Sequence, residues 1–249
     1  MEHSNDEIMP VTCKNCNTDI TDKYCARCGQ KADTKRITWS QIVHFIPHAL
    51  FHVNRGFLFT MKELFIRPGY AVKEYIDGKR VSFSNPIMYI VLLGGFTTLF
   101  YNYFDVPLNV EGENIHQMLR SSKILYNKYL IIITFEIIPL IAGICYFMFR
   151  EFRLNFPEYI VMGAFLTGQM MLIILLFFPL SVATKNLSVH FLVRGLNLLA
   201  FAVFTVVFLY QFFNAKQQKI LVFKVVSATI LMMSVFLALS KYLQLMILK

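Results

Sequence analysis

Long apolar runs fill the chain from Pro86 almost to Lys249, whereas the residues before Pro86 alternate between apolar and polar stretches. A helix needs about 20 mainly apolar residues to cross the hydrocarbon core of a bilayer. Five runs approach or reach this length, at 86–104, 129–149, 159–183, 196–213 and 223–243. A spanning segment must satisfy its own backbone hydrogen bonds, so each run is predicted to be a helix. The pattern therefore predicts an all-α multi-pass membrane protein with about five transmembrane helices.

The region ahead of these runs has apolar residues at helical spacing but is too interrupted to span a bilayer. It is predicted to form interfacial amphipathic helices on the membrane surface, with a break at Arg55-Gly56 and a stop at Pro68-Gly69. A further short helix over 70–77 ends at Gly78. The stretch 185–195 is predicted to connect the third and fourth spans, and a re-entrant or interfacial segment is the alternative.

Four of the five cysteines lie in a short N-terminal stretch, as Cys13-x-x-Cys16 and Cys25-x-x-Cys28. Each pair is able to direct two thiolates at one ion, and Gly29 permits the positive φ that such a turn requires. Four thiolates form a closed tetrahedral Zn²⁺ site without an open position for a catalytic water. The spacing predicts a structural zinc ribbon, and a head of this size needs the metal to fold.

Iron and disulfides are the alternative uses of these cysteines. Iron also accepts four thiolates. Disulfides belong to oxidising compartments, and the N-terminal residues MEHSNDEIMP show no basic region, apolar core or cleavage site of a secretory signal. We therefore expect the ribbon to lie in the cytoplasm. With an odd number of spans, the C-terminus is then expected in the periplasm, since the basic flanks of the spans are nearly balanced and leave the orientation to the head.

Composition agrees with a membrane location: 56% of the 249 residues are hydrophobic, 16% are charged and the mean hydropathy is +0.53. The basic residues behind the net charge of +9 are expected to contact anionic lipid head groups rather than nucleic acid. Four cations ahead of the first span are candidates for contact with lipid head groups or phosphate: Arg67, Lys73, Lys79 and Arg80. A topology signal is the alternative role of these residues.

The combination of the two CxxC pairs, CARCGQ, HVNRGFLFTMKELFIRPG, EYIDGKR and a proline opening the first span resembles a known family. This is the domain of unknown function 3667, small bacterial inner-membrane proteins with an N-terminal zinc ribbon. The resemblance is strongest over residues 13–90. It supports the division that the residues predict: a cytoplasmic zinc ribbon at 1–36, interfacial amphipathic helices at 37–85 and a transmembrane helical domain at 86–249. It assigns no activity to particular residues.

Three histidines, His44, His48 and His52, recur every four residues and line one side of a predicted helix. They are candidates for a second metal or haem site, which would make the protein a membrane metalloenzyme. The alternative is that they lie at the level of the lipid head groups. Pro47 disrupts the helix between the first two, and no HExxH motif accompanies them.

One carboxylate, Glu136, lies inside an apolar run, three residues before Pro139. An ionisable group in a membrane is costly, so it is expected to face other helices or a wet cavity. It is a candidate site for a small transporter or a lipid-handling protein. The alternative is a helix-packing hydrogen bond to a neighbour such as Gln169.

No P-loop, nucleophile elbow, HExxH or dinucleotide motif is present, so no catalytic residue is assigned. The favoured hypothesis is that the zinc ribbon forms a cytoplasmic platform for a protein partner while the spans anchor it or assemble into a homo-oligomer. This rests on the closed metal site, which is typical of a surface rather than of a reaction.

Overall fold

The computed structural model describes residues 11–44, 56–104, 130–183, 187–214 and 219–247. The N-terminal part contains two short antiparallel strands, β1 (Val11–Thr12) and β2 (Asp19–Ile20). Seven helices follow in the described ranges: α1 (Phe57–Ile66), α2 (Pro68–Asp77), α3 (Pro86–Tyr103), α4 (Leu130–Met148), α5 (Phe156–Ala183), α6 (Leu187–Phe213) and α7 (Lys219–Ile247). A 3₁₀ turn, Arg150–Phe152, joins α4 to α5. Residues 39–44 are also helical.

The mostly helical fold class is confirmed, and the five predicted spans correspond to α3 through α7. The predicted short helix before the first span is α2, which ends at Gly78 as expected. The stretch from Leu187 onward belongs to one continuous helix through Phe213, rather than to a separate re-entrant segment. Pro68 begins α2 directly after α1, because proline fits the first turn of a helix, where its missing N–H is not needed.

Three helical stretches in the described part of the chain are long and apolar enough to cross a membrane: Phe156–Ala183, Phe191–Phe213 and Ile220–Tyr242. Two shorter apolar stretches, Pro86–Phe100 and Phe135–Met148, lie in α3 and α4. These lengths and compositions indicate a membrane protein. The count of five spans stays a prediction.

Helix α5 occupies the centre of the bundle. It packs against α2, α3, α4 and α6. The most apolar part of α5 is 72% buried, compared with 28% in both α6 and α7, so α5 contacts mainly protein whereas α6 and α7 expose apolar side chains around the bundle. Such an exposed apolar surface is what a lipid bilayer covers.

The start of α2 packs against the last turns of α6 at very short range. The Gly69 N–H donates to Gln211 Oε1 at 3.2 Å. A Cβ atom at Gly69 would lie 2.3 Å from both Phe208 O and Phe212 N, so only glycine allows this approach. This contact fixes the region before the first predicted span against the helical body.

We expect Gly69→Ala to lower the thermal unfolding midpoint in detergent. The added methyl group forces α2 and α6 apart, and overpacking of this kind costs about 1–3 kcal/mol. Gly95→Ala is the matched control, because a Cβ at Gly95 meets no atom within 4 Å. Equal midpoints for the two variants would contradict the close packing of α2 and α6.

Candidate metal centre and its attachment to the helical body

The four N-terminal cysteines converge on one point. Their Sγ atoms all lie within 4.8 Å of one another. Cys13 Sγ is 3.6 Å from Cys28 Sγ, and Cys16 Sγ is 3.5 Å from Cys25 Sγ. A tetrahedral ion with metal–sulfur bonds of about 2.3 Å separates its ligands by roughly 3.8 Å. All four cysteines are free thiols, and their sulfurs are spaced for a shared metal ion rather than for disulfides.

Each CxxC pair forms a tight turn of the same design. In the first, Asn17 N donates to Cys13 O at 2.9 Å, and in the second, Gly29 N donates to Cys25 O at 2.8 Å. The residue after the second cysteine has a positive φ in both turns, 58° at Asn17 and 77° at Gly29. The glycine is predicted from the sequence, whereas the asparagine, which also tolerates the left-handed conformation, is not.

The environments of the thiols differ within the cluster. Hydrogen bonds from Thr18 lower the pKa of Cys16 to about 6. Removal from water raises the pKa of Cys28 to about 11. A metal is ligated by thiolates, so an ion bound by the four sulfurs must hold all of them deprotonated. The donor set fits Zn²⁺ and also fits iron.

The ribbon is hydrogen-bonded to the loop between α2 and α3. Asn15 Oδ1, in the first cysteine turn, accepts from Ser82 N at 3.3 Å and from Ser82 Oγ at 3.0 Å. Gln30 is buried, and its Oε1 accepts from Arg80 N at 3.3 Å and from Val81 N at 3.2 Å. Amide side chains of the ribbon therefore satisfy backbone N–H groups of the loop.

A second attachment joins the end of the ribbon to the start of α5. Arg36 Nε donates to Glu158 Oε1 at 2.9 Å, and an Nη atom of Arg36 donates to Glu158 Oε2 at 2.5 Å. The Glu158 side chain is only 2% exposed, whereas that of Arg36 is 61% exposed. The pair raises the pKa of Arg36. A two-point pair of this kind is stronger and more directional than a single hydrogen bond.

Glu158 has a second role as part of the N-terminal cap of α5. Glu158 Oε2 accepts from Asn155 N at 2.9 Å, and Asn155 Oδ1 accepts from Glu158 N at 3.0 Å. This reciprocal arrangement is a capping box, and the adjacent helix N-terminus favours a carboxylate. Asn155 Nδ2 also donates to Ile37 O at 3.0 Å. The sequence analysis missed this site, although Asn155-Phe-Pro-Glu158 ahead of an apolar run carries the signal.

Three of the four cations predicted to contact lipid head groups are engaged by protein acceptors. Arg67 Nε donates to Glu63 Oε2 at 2.5 Å, and its other nitrogens bind Glu74, which keeps the pKa of Glu74 below its ordinary value. Lys79 Nζ lies 3.0 Å from Glu74 Oε2. The third, Arg80, bonds to main-chain oxygens, while Lys73 is half-buried on α2. Lipid contact by these residues stays a prediction.

The other two candidate sites are only partly within the described residues. His44 is exposed, while His48 and His52 lie outside the described ranges. The suggested pairing of Glu136 with Gln169 does not form. Gln169 is buried and accepts from Tyr89 Oη at 2.7 Å.

Glu136 is exposed on α4 instead of facing other helices as expected. The reason is the helical period of α4. Its buried stripe runs through Ile137, Ile138, Ile141 and Ala142 and packs on α5, which turns Glu136 to the outer surface of the described bundle.

We expect purified protein to carry one metal ion per chain and Cys13→Ser to lose it, since three remaining thiolates hold a structural ion far less tightly. Elemental analysis of the purified protein measures the stoichiometry and identifies the metal. Cys145→Ser is the matched control, because Cys145 is buried in α4 away from the cluster. Full metal retention by Cys13→Ser would contradict the site.

A comparison with protein families matches residues 54–98 to the family described as protein of unknown function (DUF3667). The matched range covers α1, α2, the loop between α2 and α3 to which the ribbon is bonded, and most of α3. Comparisons with curated proteins and with solved structures found no match. The match confirms the family resemblance and comes with no assigned activity: this chain resembles DUF3667 through its helices before and at the first apolar run.

Proposed function

We propose that this protein is an inner-membrane protein of bacteria whose N-terminal ribbon holds a structural Zn²⁺ and forms a rigid interaction platform on the cytoplasmic face. Helices α3 to α7 provide five membrane spans. The observation that carries the proposal is the double attachment of the ribbon, to the loop before α3 and to the start of α5.

The two attachments support the proposal that the chain crosses the membrane an even number of times between Ser82 and Glu158. Ser82 precedes α3 and Glu158 begins α5, and both contact the ribbon, so both lie on one side of the bundle. Between these two points, the described part of the chain contains two helices long enough to matter, α3 and α4. If α3 crosses the membrane, α4 must return.

Contacts at the other helix ends extend the same argument. Phe149, directly after α4, stacks on Phe213 at the end of α6, with ring centroids 4.0 Å apart. Lys224 Nζ, near the start of α7, lies 2.6 Å from Glu151 Oε1 in the turn before α5. The end of α6 and the start of α7 therefore lie on the ribbon side, which supports a C-terminus on the opposite side.

The chemistry of the ribbon supports a cytoplasmic location for this side. Free thiols persist where the compartment is reducing. The basic flanks of the spans are nearly balanced between the two sides, so the thiols of the ribbon carry the orientation.

A platform needs a fixed ribbon with a free outer face. The attached face uses Asn15, Gln30 and Arg36. Away from these contacts, Val11 is 51% exposed and Tyr24 is 59% exposed. Exposed apolar and aromatic side chains on a rigid domain are the kind of group that anchors a protein partner. The closed four-thiolate set supports a structural rather than a catalytic metal.

Reporter fusions test the orientation. We expect alkaline phosphatase fused after Lys249 to be active, because that enzyme needs the oxidising periplasm, and a fusion ahead of Met1 to be inactive. A fluorescent protein that folds in the cytoplasm gives the opposite pattern and serves as the control. An active phosphatase at the N-terminus would contradict the cytoplasmic platform.

Arg36→Gln tests the attachment of the ribbon. We expect faster amide hydrogen exchange over residues 11–38 with the metal retained, because the loss of hydrogen bonds to a buried carboxylate costs on the order of 1.5–3 kcal/mol. The variant keeps the capping box of Glu158 intact, so α5 itself should exchange normally.

Arg27→Gln is the matched control, since Arg27 is an exposed arginine on the same ribbon. Unchanged exchange in Arg36→Gln, or the same change in both variants, would contradict an attachment that depends on Arg36 and Glu158.

A further inference from the structure

We propose that the junction between the ribbon and the helical body is a binding site for a phosphate-bearing anion. A cleft of about 290 Å³ opens there. Its lining consists of Gln30, Lys31, Asp33, Thr34, Lys35, Gln41 and Arg80. The volume is at the small end for ligand sites and suits a compact head group rather than a large molecule. This proposal is independent of the platform role, because it concerns a small ligand at the junction rather than a protein partner on the outer face of the ribbon.

The charges that line the cleft are mostly positive. Lys31, Lys35 and Arg80 supply three cations, and Asp33 supplies one carboxylate. Asp33 Oδ2 lies 3.2 Å from Lys35 Nζ, in an exposed pair that solvent screens. The lining therefore carries a net excess of two positive charges, from two lysines, one arginine and one aspartate. A concave surface of one sign concentrates ions of the opposite sign.

Arg80 is the cation that most needs a counter-ion. Its guanidinium donates to Lys35 O at 2.8 Å and to Tyr75 O at 3.4 Å and lies 6.0 Å from the centre of the Tyr75 ring. None of these groups carries a negative charge at neutral pH. Glu158 also acts electrostatically on Arg80, but its oxygens are bound by Arg36. A partly desolvated cation beside a cleft is stabilised by an anion that enters it.

Gln41 adds a polar group without a partner. Its Oε1 is buried and has no hydrogen bond within the described part of the chain. Rotation of the amide places Nε2, a donor, at the same position. An anion in the cleft is able to accept from this nitrogen. By contrast, Gln30, which also lines the cleft, already bonds to the loop and to Thr34 Oγ1, and so builds the site rather than binding its ligand.

A phosphate group matches these donors better than a carboxylate does. It offers three or four strong acceptor oxygens, which suits one guanidinium, two ammonium groups and an amide around one cleft. Trp39 and Val43 lie beside Gln41 in the chain and are 56% and 63% exposed. Tryptophan is enriched where a protein meets the lipid head groups. The phosphate therefore belongs either to a membrane lipid or to a free anion from the cytoplasm.

Trp39 is the chain's single tryptophan and reports on the cleft. Zinc-loaded protein in a non-ionic detergent is titrated with potassium phosphate in one arm and with dioctanoyl phosphatidylglycerol in the other, with potassium chloride as the ionic-strength control. We expect a saturable change in Trp39 fluorescence when a phosphate-bearing titrant is added and no change when potassium chloride is added. A response in the lipid arm alone identifies a head-group site. A response in both arms shows that the bare phosphate anion is sufficient for binding.

Lys31→Gln/Lys35→Gln tests which residues bind the anion. Both side chains are exposed, so folding does not depend on them, and we expect the affinity to fall at least tenfold. Lys23→Gln/Arg27→Gln removes the same charge from exposed ribbon positions outside the cleft and should change the affinity less than twofold. The metal content of each variant shows that the ribbon is intact.

Three results would overturn the proposal. These are a fluorescence change that chloride reproduces, no saturable change in either arm, and an equal loss of affinity in the two double variants. The last result indicates general attraction of anions to a basic surface. None of them bears on the platform role, which stands or falls on the Arg36→Gln exchange experiment and the reporter fusions.

Discussion

The N-terminal ribbon has too little core to stand alone, and this constraint accounts for its attachment to the helical body. Among the described residues of the ribbon, the buried apolar cluster contains only Cys13, Ile20 and Cys25. So few buried side chains do not offset the conformational entropy of ordering the chain. Two sources of order are open to the ribbon: an ion shared by the four clustered cysteines and attachment to a larger body. The structure provides the geometry for both, with two matched turns on one side and amide and guanidinium contacts on the other.

Glu158 is one of the two places where the ribbon meets the helical body. Its carboxylate caps α5, the most buried helix of the bundle, and receives two hydrogen bonds from Arg36. A buried carboxylate is tolerated only when it is paired and hydrogen-bonded, so each contact supports the other. Displacement of the ribbon would leave this charge without its partner at the start of the central helix. The position of the ribbon and the order of the helix ends on the ribbon side of the bundle are therefore energetically linked.

Polar residues within the bundle follow helix packing rather than the intrinsic cost of burial. Gln169 lies at the interface of α5 with α3 and bonds to Tyr89, while the period of α4 turns Glu136 outward. The sequence singled out Glu136 as an acid in an apolar run and offered Gln169 as a partner for it, but it did not predict that Gln169 would bond to Tyr89 instead. The helical period defines the faces of a single helix. Which face of one helix contacts which face of another depends on how all the helices pack together.

The sequence by itself determined the helical class, the positions of the long apolar helices, the end of α2 at Gly78 and the four-cysteine cluster. These follow from local periodicity, turn chemistry and spacing, which act over a few residues. The tertiary structure alone decided that Gly69 contacts α6, that Asn15 and Gln30 bind the loop before α3, and that Arg36 pairs with Glu158. Those partners are up to 142 positions apart in the chain, and no local pattern specifies contacts at such separations.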